Sequence, residues 1–146
     1  MKIVFFSVFW VTVDQITKAL VRTFMTLYES IPIIPNFFHL TFITNDGMAF
    51  GINVPGGIYI FSFISLIFTI FLSWYLWQIR EQAFIYRLGI GFILGGAIGN
   101  LIDRFMYGEV TDFLDFMIGS YHWYIFNFAD TYVTIGMILI IYDSII

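Results

Sequence analysis

Apolar residues in this chain come mostly in long, nearly uninterrupted runs. Ile58 to Trp77 carries no charge, and a charge-free run of about 20 residues is what one bilayer crossing needs. Leu88 to Ile102 is shorter, but "EQAFIYR" before it extends the helix while Arg87 snorkels toward head groups. "YIFNFADTYVTIGMILIIY" reads as a further crossing interrupted by Asn127 and Asp130. The N-terminus begins like a signal peptide, with Lys2 and then Ile3 to Val13, yet no small-residue cleavage site follows and Asp14 cuts the run short. It reads as a retained first span. Four crossings are predicted, roughly over 3–25, 57–78, 84–104 and 125–143.

Two connections break the pattern. In 28–56, Pro32, Pro35 and Pro55 oppose helix, and "FFHLTFIT" leads β-favouring residues into the turn signal "NDG". A small β-element on the outer membrane surface is predicted there. Residues 105–124 are aromatic ("MIGSYHWYIF") and suit the membrane interface. No repeat or low-complexity linker divides the chain, so residues 1–146 read as a single integral-membrane domain of the all-α membrane class.

Lys and Arg set the orientation. Lys2 shares one side with the short connection holding Arg80 and Arg87, while 28–56 and 105–124 carry no Lys or Arg. Both termini are therefore expected on the cytoplasmic side. Arg22 and Arg104 near the outer ends run slightly against this.

Composition agrees with lipid as the solvent. The 146 residues are 60% hydrophobic and 11% charged, with a mean hydropathy of +0.91, whereas a soluble domain of this size still exposes about 30% of its unfolded surface. A net charge of −4 leaves no basic stripe for nucleic acid. The absence of cysteine removes thiolate nucleophiles, thiolate metal sites and disulfides from consideration.

Against that background the intramembrane polar residues stand out, because a charge at the bilayer centre costs roughly 2.5–3.5 kcal/mol on insertion scales. Asp14 and Lys18 are four apart on the first helix and can pair, which a purely structural role would also explain. Gly91, Gly95 and Gly99 form a small-residue face for close helix approach. Continuing that face reaches Asp103, and the neighbouring stripe is Gly96, Asn100 and Arg104. The polar end of this helix thus points into the bundle, with Asp103 and Arg104 as possible mutual partners. Asn127 and Asp130 share a face, although Asp130 could serve only as a helix cap.

Asp130 lies about 18 Å of helix from Tyr142 at 1.5 Å per residue, in the outer half of the hydrocarbon. Asp112 follows the outer end of the third span and could fold back to the same depth. Two carboxylates meeting in a low-dielectric pocket share a proton, so that one activates water and the other protonates a leaving group. Glu29, Asp46 and Glu109 read as surface charges, and His39 and His122 as isolated rings among aromatics. H-E-x-x-H and G-x-S-x-G are both missing.

The ordered motifs "DQITK" (14–18), "NDGMAFG" (45–51), "GGAIGNLIDR" (95–104), "GEVTDFLDF" (108–116) and "FNFAD" (126–130) resemble signal peptidase II, the prolipoprotein signal peptidase family of bacteria. The resemblance runs collinearly through nearly the whole chain. It implies a four-helix aspartic endopeptidase of the cell membrane, with its active site on the outer side. Its substrates would be prolipoproteins carrying diacylglycerol on the cysteine that follows the scissile bond. It implies Asp112 and Asp130 as the catalytic pair. Asn127, Asn100, Asp103, Arg104, Asp14, Lys18 and Asn45 would be supporting or substrate-binding residues. No metal or cofactor is implied; the partners are substrate and membrane lipid, and the expected state is a monomer. Met48 departs from the small residue usual in the loop motif.

Two other classes stay open on residue chemistry alone. A proton- or ion-coupled transporter would also place Asp, Lys and Arg in the membrane, and a non-enzymatic scaffold could use the glycine face to dimerise.

Overall fold

The computed structural model describes residues 2–46, 56–119 and 121–145. Met48 and the rest of its loop motif from residue 47 onward fall outside that range. The elements run α1 (Lys2–Phe24), β1 (Ser30–Ile34), β2 (Phe38–Asn45), α2 (Gly57–Gln78), α3 (Phe84–Tyr107), β3 (Val110–Ile118), β4 (Tyr121–His122) and α4 (Phe128–Ile145). The four helices are long and apolar enough to cross a membrane. Their outward faces carry large exposed side chains such as Phe5, Phe63, Trp74 and Ile138. That inside-out character follows from a solvent as apolar as leucine, which leaves close packing to hold the helices together.

α3 is the central helix, in contact with α1, α2 and α4. Its glycines explain why. A Cβ on Gly95 would come within 3.3 Å of the Ser7 carbonyl of α1, and one on Gly91 would meet Ile3 and Ser7. The predicted 91/95/99 face is therefore the seat of α1. A second set serves α4: a Cβ on Gly89 would stand 2.8 Å from the Gly136 carbonyl, and Gly96 lies against Ala129. Trp10, Phe92 and Tyr132 fill the seam of these three helices, with ring centroids 4.9 and 5.1 Å from Trp10.

Helix ends differ from expectation for local reasons. α3 runs to Tyr107, past the predicted 104, and stops where Gly108 adopts φ 76°, a conformation that costs glycine nothing. α4 starts at Phe128, three residues after the predicted 125, because Asn127 caps it.

The larger difference concerns 105–124. Expected as an interfacial segment, much of it forms β3 and β4, joining the outer β-element in one antiparallel sheet of order β1-β2-β3-β4. β3 is buried along most of its length, since Phe113 and Leu114 pack with Val21 and Phe42 above the helix ends. Burial on both faces hides the alternation that marks a one-sided strand. Pro32 sits on β1, at the sheet edge, where a missing N–H costs no ladder bond. β1 turns into β2 through Asn36 at φ 60°.

Candidate functional site

The first turn of α4 organises the polar centre. Helix starts leave backbone N–H groups without partners, and here side chains answer them. Asn127 Oδ1 accepts from the Asp130 N–H at 3.1 Å, and Asp130 Oδ2 accepts from the Asn127 N–H at 3.2 Å. This is a reciprocal capping box with Asp in the usual Glu position. From across the bundle, Asp14 Oδ1 accepts the Ala129 N–H at 2.9 Å. Asp130 is thus in part a capping residue, but its other oxygen accepts from the Asn100 side chain at 2.8 Å.

Beside this turn lies a closed ion cluster. Lys18 Nζ reaches Asn100 Oδ1 at 2.9 Å, Asp14 at 3.0 Å and Asp103 at 3.3 Å, so its three protons have three acceptors. Lys18, Asp14 and Asp103 are fully buried. Burying ions is expensive unless charge and hydrogen bonding are both balanced. Arg22, 3.5 Å from Asp103, supplies the second positive charge and donates to Thr111 at 2.9 Å. Gln15 adds donors to Asp14, Asp103 and the Gly99 carbonyl. The expected Asp14–Lys18 pair is present. Asp103, however, pairs with Lys18 and Arg22 on α1. Arg104 instead points along its own helix, 3.4 Å from the Asn100 carbonyl, with a buried Nε that has no hydrogen-bond partner among the described residues. It lines a cavity of about 410 Å³ with Ile58, Tyr59, Phe63 and Phe105.

Asp112 arrives on β3. Asp103 accepts the Thr111 N–H at 3.0 Å, which pins the strand one residue before it. Across the sheet β2 bulges, with Thr41 and Phe42 facing the single Phe113 between the Leu40–Leu114 and Ile43–Asp112 pairs. Bulges of this kind re-aim neighbouring side chains. Asp112 is 2% exposed and accepts from Asn127 Nδ2 at 2.6 Å. Burial, and then the nearby charge of Asp130, raise its pKa to about 7 despite the hydrogen bonds from Asn127 and Asn45. Asn45, at the end of β2, also donates to the Tyr124 hydroxyl at 2.9 Å. Partial burial and the carboxylates of Asp112 and Asp130 hold that phenol above its ordinary pKa.

All nine residues singled out from sequence therefore gather at one end of the bundle, bridged by Asn127 and Asn100 at 3.1 Å. Sequence reasoning missed Gln15, Arg22, Thr111 and Tyr124. Gln15 and Arg22 carried a faint signal, being one and eight positions from Asp14 on the same helix. It also missed Asp115, which is 1% exposed. Asp115 accepts from Thr41 at 2.7 Å and meets His122 Nδ1 at 2.9 Å. His122, read as an isolated ring, therefore ties β4 to β3.

Comparison with known proteins identifies the family. The family model of signal peptidase (SPase) II matches residues 6–146. The chain is 43% identical over 139 residues to the lipoprotein signal peptidase of Desulforapulum autotrophicum, covering 92% of this chain and 86% of that protein. It is 46% identical over 131 residues to that of Halothermothrix orenii, covering 90% and 86%. A bacterial membrane enzyme solved by the in meso method at 1.9 Å superposes with a TM-score of 0.85 at 36% identity, over 98% of this chain and 92% of that one.

Proposed function

The chain belongs to the signal peptidase II family, and from that premise we propose that residues 1–146 form a membrane aspartic endopeptidase. It removes the signal peptide from diacylglyceryl prolipoproteins by cleaving before the lipidated cysteine. The observation that carries the reading is the double hold of Asn127, which donates its side-chain amide to Asp112 and its backbone N–H to Asp130. One residue thus spaces two carboxylates from different elements around a common point.

The chemistry follows from their unequal surroundings. Asp130 accepts hydrogen bonds from Asn100 and Asn127 at a helix N-terminus that favours negative charge; it is the base. Asp112, with a pKa near 7, holds the shared proton and is the acid. Asp130 takes a proton from water as its oxygen bonds to the scissile carbonyl carbon, and Asp112 protonates the carbonyl oxygen. The gem-diol then collapses: the C–N bond breaks, the amine leaves with the proton on Asp130, and a hydroxyl proton returns to Asp112. Asp14, Lys18, Asp103 and Arg22 act by fixing α1, α3, β3 and the start of α4 around the pair. Arg104 and Asn45 face the space a substrate would occupy.

The enzyme would work as a monomer in the bacterial inner membrane, both termini cytoplasmic and the sheet on the outer side above the scissile bond. A transporter is not favoured: Asp14, Lys18, Asp103 and Arg22 form one mutually neutralised knot at one end of the bundle. The test is a gel-shift processing assay on a diacylglyceryl prolipoprotein. Asp112→Asn and Asp130→Asn each abolish cleavage while the protein still inserts and keeps its helicity. Full cleavage by either variant overturns the carboxylate pair.

A further inference from the structure

At the opposite end of the bundle, α1 and α2 scarcely touch, each being held through α3. The cleft between them contains two cavities of about 310 and 320 Å³ that share Val4, Ser73 and Leu76 as walls and so form one groove. Its deep part is lined by Val8, Val11 and Leu94. The hydroxyls that border it are already used, Ser7 on the Gly91 carbonyl at 2.9 Å, Thr12 on the Val8 carbonyl at 2.8 Å and Ser73 on the Thr69 carbonyl at 2.8 Å. The groove is therefore chemically apolar along its length.

Its mouth is cationic. Arg80 and Arg87 line it together with Trp77. Arg87 spends one nitrogen on the Arg80 carbonyl at 2.9 Å, while its buried Nε has no hydrogen-bond partner among the described residues. Arg80 lies 5.5 Å from the Trp77 ring. Its acidic neighbour Glu81 is 3.7 Å away and 91% exposed, an arrangement that binds weakly in water. Two guanidinium groups with donors to spare thus stand over a slot that accepts hydrocarbon.

We propose that this cleft binds one anionic phospholipid, its phosphodiester on Arg80 and Arg87 and an acyl chain along Val4, Val8, Val11 and Leu76. Guanidinium suits the group because its planar fork gives two parallel hydrogen bonds to phosphate oxygens. Basic pockets between membrane helices are where such head groups bind. The lipid belongs to the leaflet that the Lys/Arg distribution marks as cytoplasmic, and it fills the gap that α1 and α2 leave.

Purified full-length protein in an uncharged detergent is titrated with phosphatidylglycerol carrying brominated acyl chains, and tryptophan quenching is read. Phosphatidylcholine with the same chains is the comparison, and Trp77→Phe identifies the signal. The expected result is saturable quenching that Trp77→Phe removes, with a half-point at least five-fold lower for phosphatidylglycerol. R80Q/R87Q erases that preference. Val8→Phe, which leaves both arginines in place, weakens both lipids by narrowing the slot. Equal half-points for the two lipids, or a preference surviving in R80Q/R87Q, overturns the proposal. Should R80Q/R87Q fail to fold, R80Q alone, at an exposed turn residue, must lower the preference. Inorganic phosphate at matching concentration leaves the curves unmoved; displacement of the lipid by phosphate would make this a free-anion site and overturn the assignment.

Discussion

Asn127 and Asp130 satisfy each other at the start of α4, each side chain accepting the other's backbone N–H at 3.1 and 3.2 Å. The same Asn127 amide reaches Asp112 at 2.6 Å. Capping and presentation of the carboxylates are therefore combined in one residue, and substitution can separate them. Asn127→Ser keeps a good cap but has no amide to give Asp112. Its thermal stability should fall by about 1–3 kcal/mol because the acceptors on Asn100, Thr111 and Asp112 lose their donor, while kcat per folded molecule in the processing assay falls by about ten-fold or more. Asn127→Ala should lose both.

The raised pKa of Asp112 fixes two pH responses. Activity should fall above about pH 7 as the acid loses its proton, by about ten-fold per pH unit. Stability has the same sign. The protonated form is favoured in the folded state, so this contribution is complete below pH 4, is lost as pH rises to about 7, and then levels off. Its full size is about 4 kcal/mol. Asp112→Asn should accordingly melt above wild type at pH 8 and converge with it near pH 4, as differential scanning fluorimetry in detergent can measure.

Lys18 is the keystone of a buried cluster, its amine held by Asn100, Asp14 and Asp103. Lys18→Met strands the charges of Asp14 and Asp103, which should cost about 3–5 kcal/mol. The variant should lose expression or melting temperature first and activity only in step, unlike Asp112→Asn. Comparing soluble-in-detergent yield with activity per folded molecule distinguishes the two.

Gly96→Leu should be among the most damaging apolar substitutions. Its side chain would push on Ala129, whose N–H is held by Asp14, and on the turn that carries Asp130. Overpacking of this kind costs about 1–3 kcal/mol or more. Processing should drop further than the folded fraction does, because Asp130 moves with the helix.

Asp115→Ala should remove the acceptor for Thr41 and His122 and destabilise the sheet by about 1–3 kcal/mol. Activity should recover on cooling, and limited proteolysis should show earlier cleavage in β3 and β4 than in wild type.

The four spans were legible in the sequence because lipid imposes a length and a composition on any chain that crosses it, and local helical spacing suffices to predict pairs such as Asp14–Lys18. The glycine face was legible for the same reason, since residues four apart share a side whatever they pack against. What packs against them was not. Asp103 and Arg104 are adjacent in sequence, yet a helix turns them about 100° apart, so Asp103 meets Lys18 and Arg22 while Arg104 faces another cleft. β3 finds its partner β2 more than sixty residues earlier, and its burial on both faces erased the alternation that would have announced a strand. Asp115 and His122 became a pair only when that strand was laid down. The sequence by itself determined the helices, their polar stripes and the candidate carboxylates, because those depend on local periodicity and solvent. Only the tertiary structure decided which charges neutralise one another and how Asn127 spaces Asp112 from Asp130, because those depend on contacts between elements distant along the chain.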